Sequence, residues 1–206
     1  MSDSEERTGE DRLLTVPNLI TGIRLACLPL YLYLLFGREN RAAAAGLLAL
    51  LGATDWVDGY VARRFDQVST FGKVLDPVAD RLLFFVGIGA ILVDGAAPFW
   101  FSVAVLAREV VISVAVLALA ALGARRIDVT WWGKAGTFCL MFAFPLFLAG
   151  ASTVAIADLF TVAGWGFGIP GLVLSYYAAF LYIPLGLAAL REGRAARTAG
   201  LIEEAS

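Results

Sequence analysis

Long apolar runs separated by short polar breaks set the pattern of this chain. The first covers residues 18–36 and follows a polar segment of mixed charge. Pro17 suits the opening turn of a helix, where its missing N–H would have no partner anyway, and Thr15 stands where a cap belongs. Further runs cover residues 42–62, 74–93, 98–122, 135–148 and 171–190. Crossing a bilayer takes about 20 predominantly apolar residues in a helix. The pattern therefore predicts an all-α membrane protein, a bundle of six transmembrane helices, with Gly133, Gly136 and Pro145 as weak points of the fifth. Residues 151–170 are also apolar, but Asp158, Gly164, Gly166 and Gly168 interrupt them. They read as a loop that hugs the surface or re-enters, not as a seventh span. The expected organisation is a flexible N-terminus over 1–16, one membrane domain over 17–192 and a polar tail over 193–206. The N-terminus lacks the basic start of a signal peptide, and the run behind it is too long for one. There is no internal repeat.

Composition agrees with the pattern. Of 206 residues, 60% are hydrophobic and 17% charged, with a mean hydropathy of +0.79; soluble domains carry nearer a quarter charged. The length suits one bundle. A formal net charge of −2 points to no nucleic-acid partner, and the absence of histidine removes imidazole as base or ligand. Cys27 and Cys139 lie within apolar runs at no metal or redox spacing, as small core residues do. Basic residues orient the bundle. With six spans, one face receives Arg7, Arg12, Arg63, Arg64, Lys73, Arg125, Arg126, Lys134, Arg191, Arg194 and Arg197, and the other only Arg38 and Arg41. Both ends are thus expected in the cytosol, with Trp131 and Trp132 as an interfacial belt. Arg24, Arg81 and Arg108 fall within spans.

Four aspartates then stand out, as Asp55-x-x-Asp58-Gly59-x-x-Ala62-Arg63 and, after eight residues, Gly72-x-x-x-Asp76-x-x-x-Asp80. Carboxylates at a membrane edge are costly and usually functional. Asp55 and Asp58 are three apart at the cytosolic end of the second span; Asp76 and Asp80 are four apart at the start of the third. Each pair shares a helix face, and the short connection lets the two converge. Four bare carboxylates at that range would repel one another. Two hard divalent cations, Mg²⁺ or Mn²⁺, resolve the conflict and leave room for phosphate. Such a pair roughly 4 Å apart clamps both oxygens of a phosphoryl displacement. Gly59, Ala62 and Gly72 would clear space for a ligand, though small residues on membrane helices also serve helix packing. Arg63 would meet phosphate charge, or with Arg64 act as a plain anchor.

The series D-x-x-D-G-x-x-A-R-x(8)-G-x(3)-D-x(3)-D, met at every position from Asp55 to Asp80, resembles the signature of the CDP-alcohol phosphatidyltransferases. Pro17-Asn18 with Thr21 and Arg24 resembles the opening segment of bacterial members. Gly133-Lys134-Ala135 with Thr137-Phe138 is similar to a later motif of actinobacterial glycerol-phospholipid synthases. The resemblance implies a six-helix bundle, usually homodimeric, in the plasma membrane with its site facing the cytosol, using CDP-diacylglycerol and two divalent ions. It implies that Asp55, Asp58 and Asp76 bind metal, that Asp80 joins them and acts as base, and that Gly59, Ala62, Arg63 and Gly72 line the cytidine diphosphate pocket. The expected reaction is phosphatidyl transfer to glycerol 3-phosphate, giving phosphatidylglycerol phosphate and CMP. Phosphatidylglycerol as acceptor, giving cardiolipin, is the alternative; inositol phosphate fits the region around Asp76-Pro77 and the tail less well. Arg24, Arg108 and Lys134 are the candidate cations for the acceptor. Arg24 and Lys134 could equally snorkel to the interface, and Arg108, next to Glu109, could belong to a structural ion network. Arg81 would orient Asp80 or offset its charge. An intramembrane prenyltransferase would carry its aspartates in two separate repeats, which this chain lacks. A cation transporter would place carboxylates near mid-membrane.

Overall fold

The computed structural model describes the backbone of residues 16–65, 72–124 and 130–204, and leaves the side chains of 16–20, 55–65, 72–78, 193–194 and 196–204 undescribed. The described residues form helices and no strand: α1 Val16–Leu32, α2 Arg41–Phe65, α3 Gly72–Asp94, α4 Phe99–Ala121, α5 Trp131–Gly150 and α6 Ala157–Glu204. A π-helical turn, Tyr33–Gly37, extends α1. Asn40 then caps α2, its side-chain oxygen accepting from the Ala43 N–H at 3.0 Å, as an N-cap does. Thr15 and the N-terminal segment lie outside the described residues. The chain divides into two compact units, Met1–Ser102 with Phe144–Gly164, and Val103–Ala143 with Trp165–Ser206.

In the first unit α1 packs against both α2 and α3. The wholly buried Tyr31 donates its hydroxyl to the Gly87 carbonyl on α3 at 3.1 Å. Leu48 of α2 lies 3.4 Å from where a Gly87 Cβ would sit. At the far end from the aspartates, Arg41 grips both carboxylate oxygens of Asp94 through Nε, at 2.9 and 3.3 Å. Its Nη1 donates to the Ala151 carbonyl at 3.1 Å. One guanidinium thus ties the start of α2 to the end of α3 and to the residue after α5. Phe101 meets Phe144 and Phe147 with ring centroids 5.6 and 5.5 Å away.

The second unit is organised by close backbone approach. A Cβ on Gly136 would lie 2.6 Å from Ser175 Oγ, 2.9 Å from Ser175 N and 3.2 Å from the Gly171 carbonyl oxygen. Thr130 caps α5, its Oγ1 accepting from Gly133 N at 3.3 Å, while Thr130 N donates to the Tyr182 hydroxyl at 2.9 Å. Tyr176 donates to the Ala104 carbonyl at 2.9 Å.

Residues 157–170 correct the expectation of a loop: they are the first turns of the 48-residue α6, and only 151–156 are non-helical. Glycine disfavours helix by about 1 kcal/mol in water, but backbone polar groups without water must bond to each other, so apolar helices persist through Gly and Pro. Gly164 is also used, because its missing Cβ admits the Phe147 ring, which would otherwise lie 3.0 Å away. α6 continues through Pro170 and Pro184.

Among the described residues, three stretches are long and apolar enough to cross a membrane: Phe99–Ala121, Trp131–Gly150 and Ala157–Glu192. Two shorter apolar helices cover Thr21–Gly37 and Arg41–Thr54. Val110, Val111, Val114 and Leu117 on α4, and Val162, Val173, Phe180 and Ile183 on α6, are large, apolar and exposed. Exposed apolar side chains along such helices suit lipid or another protein surface rather than water.

Candidate active site

The backbone puts each pair of aspartates on a helix, as expected. Asp55 and Asp58 lie in the C-terminal half of α2, and Asp76 and Asp80 in the first turns of α3. The connection 66–71 and the side chains of Asp55, Asp58, Gly59, Ala62, Arg63, Gly72 and Asp76 lie outside the described ones. No group of three or more potential metal ligands is found among the described residues, which include one aspartate of the four.

Asp80 is that one. Its carboxylate is 49% exposed, and Oδ1 accepts from Arg24 Nη1 at 2.8 Å. Arg24, on α1, is 4% exposed. A buried cation therefore stands behind a half-exposed carboxylate. Such a donor suits a hard divalent ion: an anionic oxygen group, oriented from behind and reachable from in front. The sequence nominated Arg24 for the acceptor; the structure pairs it with Asp80. Arg81 is exposed.

The other nominated cations belong to the second unit. Arg108, 9% exposed, pairs with Glu109 through Nη1 at 2.9 Å and donates from Nε to the Ser175 carbonyl of α6 at 3.3 Å. Lys134 is exposed in the first turn of α5. Near it Trp131, Trp132 and Tyr177 stack edge to face, with centroids 5.0 and 5.7 Å apart. Two contacts were beyond the sequence. Arg24 and Asp80 are 56 positions apart, and nothing in the spacing joins them. The Gly136–Ser175 approach had one hint, small residues on two apolar runs.

A family model described as CDP-alcohol phosphatidyltransferase matches residues 14–170, most of the chain and the whole aspartate series. The chain belongs to the CDP-alcohol phosphatidyltransferase family. It is a transferase of phospholipid synthesis. It is 39% identical over 184 residues to a cardiolipin synthase (CMP-forming) of Streptomyces coelicolor, covering 87% of this chain and 86% of that protein. It is 33% identical to a putative cardiolipin synthase of Mycobacterium tuberculosis over 174 residues, 84% of this chain and 83% of the relative. A CDP-diacylglycerol–glycerol-3-phosphate 3-phosphatidyltransferase of Pseudomonas fluorescens is 35% identical over 143 residues, 66% of this chain and 73% of its own length. In this phosphatidyltransferase, then, the signature occupies the junction of α2 and α3, and α1 supplies the cation behind its last aspartate.

Proposed function

We propose that this phosphatidyltransferase moves the phosphatidyl group of CDP-diacylglycerol onto phosphatidylglycerol, giving cardiolipin and CMP. The observation that carries this reading is the extent of its likeness to proteins named cardiolipin synthase, 87% of the chain at 39% identity. The committed state of the internal cations supports it. A free phosphate monoester brings about two negative charges and wants cations to spare, whereas Arg24 is engaged by Asp80 and Arg108 by Glu109. Glycerol 3-phosphate remains the second reading, giving phosphatidylglycerol phosphate. It is favoured by relatives bearing that activity in their names and by the exposed Lys134, the acceptor cation with room for a phosphate.

The chemistry follows from the residues. Asp55, Asp58, Asp76 and Asp80 would hold two divalent cations, Mg²⁺ or Mn²⁺, which neutralise diphosphate charge when bound. Gly59, Ala62 and Gly72, small residues of the signature, would line the cytidine diphosphate pocket, and Arg63 would meet its phosphates. Asp80 takes the proton from the acceptor hydroxyl. The hydroxyl oxygen attacks the phosphorus that carries diacylglycerol, and CMP departs with its charge offset. We place this site at the cytosolic face of the plasma membrane, in a bundle of six spans that works as a homodimer.

The deciding experiment offers purified protein CDP-diacylglycerol with a panel of acceptors and reads the lipid products by mass. Cardiolipin formed from phosphatidylglycerol is the expected product, abolished by chelator and restored by Mg²⁺ or Mn²⁺. Phosphatidylglycerol phosphate formed only from glycerol 3-phosphate would install the second reading. Turnover with neither acceptor would overturn both.

A further inference from the structure

The register between α1 and α3 carries an inference about Asp80. Arg24 reaches Asp80 across 56 positions of sequence, and Tyr31 reaches Gly87 across the same 56. Seven residues therefore separate the two contacts on each helix, which is two turns. The helices run parallel with one face of α1 laid along one face of α3. Tyr31, at 0% exposure, fixes that register, and the register delivers the Arg24 guanidinium to Asp80.

The burial of the two partners is unequal. Arg24 is 4% exposed and Asp80 49%. A guanidinium in apolar surroundings is costly unless an anion meets it, and at 2.8 Å the contact lies in the range of charge-assisted hydrogen bonds. The carboxylate is not drawn inside by the pairing. It is held at Oδ1 from within the unit, and about half of the side chain stays exposed. Arginine suits this task better than lysine, because its planar fork sets an angle as well as a charge.

We propose that Arg24 is a positioning residue for Asp80. It fixes the carboxylate in one orientation, so that a divalent cation and the acceptor hydroxyl meet a preset oxygen. This rests on the reading of Asp80 given above.

The test uses full-length protein in lipid nanodiscs, without CDP-diacylglycerol, titrated with Mn²⁺ and followed by electron paramagnetic resonance. Melting temperature and turnover are measured on the same samples. Arg24→Lys keeps the charge and should melt as wild type does, yet bind Mn²⁺ about tenfold to a hundredfold more weakly, the usual effect of losing a residue that orients a ligand. Its kcat should fall in parallel while KM for CDP-diacylglycerol holds. Arg24→Gln should lose more on both counts. A Lys variant that binds Mn²⁺ and turns over like wild type overturns the proposal, because charge alone then suffices. A Lys variant that fails to fold also overturns it, marking Arg24 as a tie between α1 and α3. Asp80→Asn separates this inference from the reading beneath it. If that variant binds Mn²⁺ and turns over normally, Asp80 is not in the site, whatever Arg24 does.

Discussion

Asp80 and Arg108 are both charged residues on apolar helices, and each has a different expected role. If Asp80 is the base proposed above, Asp80→Asn keeps the shape and removes the base, so CMP release should fall by about 10²–10⁴, the range of general-base catalysis. Binding of the nucleotide lipid to the metal-loaded protein should largely survive; rapid turnover by this variant would remove Asp80 as base. Arg108 is a different case. Its fork spans Glu109, 21% exposed, and the Ser175 carbonyl. Arg108→Ala should cost about 3 kcal/mol, because a carboxylate is left half-buried without its cation. The double variant Arg108→Ala, Glu109→Ala should recover part of that loss in thermal melting. No recovery would mean that the arginine packs rather than pairs. The aspartate series was legible because its chemistry is written in local spacing, three and four residues on a helix. The partner of Asp80 was not, since a contact across 56 positions is set by helix register.

At the scale of elements, apolar runs located the first five helices to within about four residues, while the last, expected over 171–190, extends over Ala157–Glu204. α3 was expected over 74–93 and occupies Gly72–Asp94; α4 was expected over 98–122 and occupies Phe99–Ala121. The misreading at 157–170 came from treating glycine as a breaker, when Gly164 makes room for Phe147. The helices of the second unit make the same use of glycine. Gly136→Ala would drive a Cβ into the backbone of Ser175 and Gly171, and should cost about 1–3 kcal/mol, as overpacking does. Gly46 has nothing within 4 Å of its missing Cβ, so Gly46→Ala should be neutral or slightly stabilising. Paired melting curves of the two variants check the contrast.

For the molecule as a whole, the distribution of basic residues predicts orientation. Variants lacking Cys27 and Cys139 and carrying one new cysteine, at Glu39 or at Ala195, both exposed positions, should label differently on intact cells. An impermeant thiol reagent should reach position 39 and not 195; the reverse would invert the topology and put the aspartates outside. The Arg41 clamp adds a mechanical consequence. It fixes the Asp94 end of α3 against the start of α2, so any change of angle there is magnified along the helix. Asp80 stands 14 residues along the helix, a lever arm of about 20 Å. One degree of rotation at the pivot shifts Asp80 by roughly a third of an ångström. Mg²⁺ holds its oxygens at about 2.0–2.1 Å and tolerates little departure. If the aspartates hold Mg²⁺ as proposed, an arginine at the opposite end of α2 and α3 bears on how closely their oxygens are held, through the Asp94 contact alone.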